Sequence, residues 1–433
     1  MASFRILEHQ IESSYIREWP HALANNQEDR LYLSVKQYVP KDNPNPRPGD
    51  VTIIGAHANG FPKELYEPLW DDLLAQSKKH NFRIRSIWIA DVAHQGASGV
   101  INEGKLGNDP GWYDHPRDLT HLINLKRDEM PRPIFGLGHS MGGSNLVNVA
   151  LFNPRLFTSL ILLDPVIQPR TAEISASTST STSNDKPPSV ARLSTFRRDT
   201  WPSRAEAAKL FLKSPFYKAW DARVFEKWIE HGLRDMPTLH HPDETPPKVT
   251  LTTSVANEVH TFLRPNFEGY GSANPDKKID RRTHPDIDPN QANTYPFYRS
   301  EAPRTFARLS ELRPSVLYVF GEKSEVSGLE FNEAKLAATG VGVGGSGGRA
   351  EGRVEGVTFD GVGHLIAMEA SERTAETTAK WIDIEMGRWR QEEEEWERNW
   401  KGKSVREKQG LDDRWKEMMG GDPRAKKRQG SKL

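Results

Sequence analysis

Residues 131–151, PRPIFGLGHSMGGSNLVNVAL, read as a short apolar strand (Ile134 to Leu137), a sharp glycine-flanked turn and a helix. At the turn, residues 138–142 spell GHSMG, a match to G-x-S-x-G. A strand and a helix joined this tightly hold the central serine, Ser140, in a strained backbone conformation with its hydroxyl aimed outward. Gly138 and Gly142 carry no Cβ, so the two elements can close without collision. The next amide, on Met141, then faces the place where an oxyanion would form. Glycine and serine are common, and the bland alternative is a βα turn that only packs. The strand before and the helix after favour a nucleophile.

Working outward, the flanking chain keeps the same rhythm. Residues 4–15 and Leu31 to Pro40 read as partly alternating strands, paired antiparallel. Val51 to Ala56, VTIIGA, is a continuous apolar run of the kind buried on both faces of a parallel sheet. Phe82 to Ala90, Ser159 to Leu163, Ser315 to Phe320 and Val354 to Phe359 are further strands. Helical spacing starts near Leu65, in residues 118–127, after the elbow, and in residues 366–389, where a charged, solvated helix and tail follow. Residues 91–117 read as one long polar loop. The alternation predicts the α/β class: a mostly parallel eight-stranded sheet flanked by helices, with ligands at the carboxyl ends of the strands.

From Val166 to Arg304 no strand of similar strength appears. Residues 171–188 are low-complexity Ser, Thr and Pro and read as disordered. Ser203 and Glu206 form a capping box, with Pro215 closing that helix, and residues 219–233 carry a second helix, apolar at Trp220, Val224, Phe225 and Trp228. The expected organisation is a core over 1–165, a largely helical cap or lid insertion over 166–305, a second core part over 306–390, and a charged helix and tail over 391–433. Gly340, Gly342 and Gly345 spell G-x-G-x-x-G, but they follow a helical segment and open no helix, so they predict a flexible loop and not a dinucleotide site.

Lys plus Arg and Asp plus Glu both number 59, so net charge gives no reason to expect nucleic acid as a partner. The absence of cysteine removes disulfides, thiolate nucleophiles and Cys-based zinc sites. No run approaches the ~20 apolar residues of a membrane span. No metal-ligand pattern such as H-E-x-x-H occurs, and no cofactor is called for. The last residues, Ser431, Lys432 and Leu433, form the tripeptide read by the peroxisomal import receptor, which makes that receptor an expected partner and the peroxisome the expected address.

A serine hydroxyl needs a general base, almost always His, oriented by a carboxylate. Among 14 histidines, His364 is the candidate, on the loop after the last strand and late in the chain, as a Ser…acid…His order requires. His139 lies inside the elbow, His57 reads as a loop brace, and His115 sits near a helix start among Asp114 and Asp118. The usual place for the acid is the loop after Ser315–Phe320. That loop carries Ser324 where an Asp is expected, with Glu325 one step late. Asp164, at the end of the preceding strand, is therefore favoured over Glu325. The second oxyanion amide is assigned to Phe61, in HANGFP after Val51–Ala56, alongside Met141.

Together these residues resemble the α/β-hydrolase superfamily from about residue 30 to 390, outside the insertion. HANGFPKELYEPLWDDL, GHSMGG, LLDPVI and residues 90–119 resemble more narrowly a fungal group of peroxisomal hydrolases, with acyl-CoA thioesterases of mycophenolic acid biosynthesis and hydrolases of AK-toxin-type biosynthesis among its members. The resemblance implies a Ser–Asp–His triad with the acid after the sixth strand, which maps onto Ser140, Asp164 and His364. Pro62 departs from the His expected in that pattern. The function expected is peroxisomal cleavage of a small-molecule acyl thioester, with Arg197, Arg198 and Arg204 as candidates for CoA phosphates. An oxygen-ester hydrolase with the same triad and a non-catalytic scaffold are the alternatives. Dehalogenase and epoxide-hydrolase chemistry need a carboxylate in place of Ser140.

Overall fold

The structure, a computed structural model, describes residues 2–169, 189–267, 281–287, 296–326 and 328–421. Its centre is an eight-stranded sheet of β1 (Phe4–Glu12), β2 (Tyr32–Pro40), β3 (Val51–Ala56), β4 (Ile84–Ala90), β5 (Ile134–His139), β6 (Ser159–Leu163), β7 (Ser315–Gly321) and β8 (Val354–Phe359). The spatial order is β1-β2-β4-β3-β5-β6-β7-β8. β2 pairs antiparallel with both β1 and β4, and every other pairing is parallel. The burial pattern follows position in the sheet. β3, β5, β6 and β7 are buried at every residue, whereas the edge strands β1 and β8 expose part of their length. Both faces of the central strands are covered, which is why those segments read as continuous apolar runs and not as alternations.

Register places the chemistry. Gly138 lies opposite Ala56 on one side and Leu162 on the other. β5 and β6 therefore run out at the same edge, and Ser140 and Asp164 leave adjacent strand ends. The Ser140 N–H donates to Leu163 O at 2.9 Å and the Val166 N–H to Ser140 O at 3.1 Å, so the two turns are stitched to each other.

Four expectations need correction. Residues 91–117 are not one loop, because a helix runs over Gly96–Asn102. Its start is set by Asp91, whose carboxylate accepts from the Ala97 N–H at 2.9 Å, five residues before the helix. Ser98 and Asn102 then bond to the backbone of β2, at Ser34 and Tyr32. The next helix, Asp114–Leu125, begins four residues earlier than its apolar spacing suggests. Helix Arg204–Phe211 starts at Ser203, whose hydroxyl accepts from the Glu206 N–H, but stops before Pro215, which instead opens the short helix Pro215–Lys218. The glycine-rich loop is tied down: Gly340, Gly342 and Ser346 donate backbone N–H bonds to the carbonyls of Leu309, Ser310 and Leu312.

Between β6 and β7 the described residues form helices that include Val190–Thr195, Arg204–Phe211, Ala222–His231 and Val255–Phe262. They also form a small antiparallel sheet of Thr200–Trp201, Val249–Leu251 and Leu233–Asp235. Residues 171–188, expected to be disordered, lie outside the described residues. The last helix after β8 runs Ser371–Trp396. Residues 386–433 group as a second unit. Its described part continues the helix and adds Val405–Gln409, with a capping box between Ser404 and Glu407, and Asp413–Met418.

Candidate active site

Ser140 stands between β5 and helix Met141–Phe152 with φ 57° and ψ −118°, one of two described non-glycine residues with positive φ. The other is Asp164, at φ 41°. Such backbone is costly and persists only where its surroundings enforce it. At the elbow the enforcement is steric. A Cβ on Gly138 would lie 2.6 Å from Gly142 O, and one on Gly142 only 2.2 Å from Ala56 O. The two glycines let the helix press against the end of β3, and the pressure turns Ser140 outward.

Three side chains meet over that turn. His364 Nε2 lies 2.9 Å from Ser140 Oγ, and His364 Nδ1 lies 2.6 Å from Asp164 Oδ2. Asp164 is fully buried, its N–H tied to Val319 O of β7 at 2.7 Å. His364 follows β8 on the loop where the sequence puts it. Glu325 is exposed, and the Nδ1 of His364 faces Asp164 instead. Ser324, standing at the usual acid position, donates its hydroxyl to Asp164 Oδ2. In the sequence Ser324 stands as a missing carboxylate, and the signal it carries is its hydroxyl, which serves the carboxylate of the neighbouring strand.

The loop after β3 is locked from several sides. The Gly60 N–H donates to Gln95 Oε1 at 2.8 Å, and the side chain of Asn59 reaches Glu258 O at 3.1 Å. Lys63, buried beside the loop, pairs with Asp91 at 2.7 Å. Pro62 is accommodated at the N-cap of a 3-10 turn, Lys63–Tyr66. The Phe61 N–H makes a long turn bond of 3.3 Å to Ala58 O, and its ring packs 5.8 Å from Trp220 and 5.9 Å from Trp228 of the inserted segment. Met141 opens its helix, whose first N–H groups have no acceptor within the helix. Its side chain clusters with Val92, Trp112 and Ala302, an apolar patch next to the serine.

Two other candidate histidines, His57 and His115, are buried. His57 accepts from the Val92 N–H at Nε2 and donates from Nδ1 to Ala58 O, a brace across the loop. A ring that accepts at one nitrogen and donates at the other is neutral, and burial lowers its pKa in the same sense. Burial likewise pushes His115 down to about 3. Its neighbours Asp114 and Asp118 are engaged by Arg117 and Arg17, so no dyad forms there. Two of the arginine candidates are also committed. Arg197 pairs with Glu258 at 3.2 Å, and Arg204 donates to Ile229 O, Leu233 O and Asp235. They hold the inserted segment together, while Arg198 is exposed. Ser431, Lys432 and Leu433, expected to act in targeting, lie outside the described residues. No group of three or more His, Asp or Glu among the described residues is placed to hold a metal.

Residues 53–377 match the alpha/beta hydrolase family. The chain is 40% identical to the type I acyl-CoA thioesterase mpaH′ of Penicillium brevicompactum, over 99% of this chain and 98% of the relative. It is 26% identical to the abhydrolase domain-containing protein AKT2 of Alternaria alternata, over 59% of this chain and 84% of the relative. Among solved structures it resembles the peroxisomal alpha-beta-hydrolase Lpx1 of Saccharomyces cerevisiae, with TM-score 0.66 and 17% identity, covering 100% of this chain and 99% of that one. Fold, sheet order and sequence relatives agree: the chain belongs to the alpha/beta hydrolase family and is a hydrolase.

Proposed function

We propose that this hydrolase cleaves acyl-CoA thioesters through an acyl-enzyme on Ser140, inside the peroxisome. The observation that carries the chemistry is the pair of contacts at His364, 2.9 Å to Ser140 and 2.6 Å to Asp164. Ser140 Oγ attacks the acyl carbon while His364 Nε2 takes its proton, and Asp164 holds Nδ1–H and stabilises the imidazolium. The tetrahedral oxyanion is received by the Met141 amide and by the Phe61 amide, which gives up its long 3.3 Å bond to Ala58 O to do so. Collapse breaks the carbon–sulfur bond, and His364 returns the proton to the thiolate. Water, deprotonated by the same base, then releases the acid and restores Ser140. The described part of residues 166–305 acts as a cap that shapes the acyl pocket, with Trp220 and Trp228 meeting Phe61 of the core.

The full-length likeness to mpaH′ supports the thioester and CoA, and the tripeptide Ser431, Lys432 and Leu433 supports the compartment. Purified protein is to be assayed against a panel of acyl-CoAs and p-nitrophenyl esters, with Ser140→Ala as control. Release of free CoA thiol, lost by at least about 10⁴-fold in the control, is expected. Ester turnover without thiol release overturns the thioester in favour of an oxygen-ester hydrolase. Folded wild-type protein that fails to label with a fluorophosphonate overturns catalysis altogether. A fluorescent fusion at the N-terminus is expected in peroxisomes, and in the cytosol once residues 431–433 are removed.

A further inference from the structure

The residue before the serine is not used by this chemistry, and neither is the tyrosine beneath it. Yet His139 and Tyr66 are both completely buried, and they sit in a continuous chain of hydrogen bonds. The Ala58 N–H reaches Tyr66 Oη at 2.9 Å. Tyr66 Oη lies 2.9 Å from His139 Nδ1, and His139 Nε2 lies 2.9 Å from the carbonyl oxygen of His364. The proton positions in this chain are dictated from its ends. A backbone amide can only donate, so Tyr66 Oη accepts from Ala58 and gives its own proton to His139 Nδ1. A carbonyl can only accept, so His139 must carry its proton on Nε2. Both conditions name the same tautomer, and every buried polar atom in the series is satisfied. Burial, followed by the nearby His364, pushes the pKa of His139 down to about 3, so the ring stays neutral across the working range.

The two ends of the chain are what give it meaning. Ala58 belongs to the loop that presents the Phe61 amide, and its own carbonyl is held by His57. His364 is the proposed base, whose ring centroid lies 5.5 Å from that of His139. We propose that Tyr66 and His139 are positioning residues, a buried relay that fixes the backbone of His364 at a set distance from the oxyanion loop. This rests on the reading of His364 as the general base. The relay makes no contact with substrate. It acts because the loop after β8 carries the base and needs an anchor, and a rigid imidazole bonded on both sides supplies one.

Three variants test it: Tyr66→Phe, His139→Leu and His139→Gln. The Gln Nε2 can donate where the imidazole Nε2 does, and its carbonyl can accept from Tyr66. Turnover, KM and the rate of fluorophosphonate labelling of Ser140 are measured on each, with thermal midpoints to establish folding. Tyr66→Phe and His139→Leu are expected to lower kcat and the labelling rate about tenfold to a hundredfold with KM within twofold. His139→Gln is expected to recover most of the loss. The Tyr66→Phe/His139→Leu double variant is expected to be no slower than the worse single one, since both break one device. Turnover within twofold of wild type in both single variants overturns the proposal, as does an additive double variant, or a change confined to KM. If His139→Leu does not fold, Tyr66→Phe, which removes a single oxygen, decides alone. Labelling does not depend on a thioester, so failure of the relay is separable from failure of the acyl-CoA reading. Loss of the catalytic reading itself appears as wild-type protein that does not label.

Discussion

Ser324, at the carboxyl end of β7, donates its hydroxyl to the same Asp164 oxygen that faces His364 Nδ1. Two neighbouring strand ends thus converge on one carboxylate, one supplying the charge and the other a hydrogen bond to it. Asp164→Asn is expected to lower kcat about 10⁴-fold, the cost of losing a triad carboxylate. Placing Asp at 324 in that variant is expected to restore at least tenfold of it. Steady-state kinetics on the single and double variants check this, and no recovery means that the β7 station cannot serve His364.

Gly142→Ala puts a methyl carbon 2.2 Å from Ala56 O and 2.7 Å from His57 O, both main-chain atoms held in the sheet and its loop. Neither can swing aside as a side-chain tip would. Overpacking typically costs about 1–3 kcal/mol, and here the strain falls on the elbow. Loss of fluorophosphonate labelling together with a lowered thermal midpoint is expected.

Glu18 gives a pH-dependent test of stability. Burial, then the charges of Glu301 and Asp114, push its carboxyl up to about 7 from 4.5. Between these values the folded chain binds more protons than the unfolded one, so stability falls as pH rises from about 4.5 to 7. Glu18→Gln removes that dependence. Its stability advantage over wild type is expected to grow between pH 5 and pH 8, in chemical-denaturation curves recorded at each. A constant difference across that range contradicts the assignment.

Arg264 is nearly inaccessible and makes five hydrogen bonds to four residues. It forms two bonds to Asp109, at 2.7 and 2.8 Å, and one each to Asp286 and Tyr298 at 2.6 Å, and donates to Thr283 O at 2.9 Å. Its guanidinium also lies 3.8 Å over the ring of Trp19. Breaking a buried pair of this kind costs about 3–5 kcal/mol. Arg264→Leu is expected to lose that much in a denaturant titration. Arg264→Lys falls between, since an ammonium keeps the charge but not the planar fork.

What could be read from the sequence follows physical lines. The central strands were legible because burial on both faces leaves unbroken apolar runs, and the elbow because its glycines are sterically obligatory. The juxtaposition of Asp164 with His364 was legible through a gap, the serine at 324. Helix Gly96–Asn102 was not, because the residue before it, Gln95, makes no side-chain cap bond, and the first N–H groups are met instead by Thr253, distant in sequence, and by the buried Asp91. The commitments of Arg197 and Arg204 were hidden for the same reason: their partners Glu258, Asp235 and the carbonyls near Leu233 are distant in sequence. Tyr66 and His139 look like ordinary core residues until the sheet register brings Ala58 and His364 to either side of them.

The Asp221 N–H donates to Met368 O at 2.8 Å, four residues beyond His364, and the adjacent Arg223 forks onto Asp72 with two bonds of 2.8 Å. This fastening bears on how chimeras of the protein should be cut. Asp221 and Arg223 fasten the inserted segment to the loop that follows β8 and to Asp72, so a cut placed through residues 219–223 would release that loop as well. A transplant that spares them is expected to leave the placement of His364 intact, and one that replaces them to disturb it.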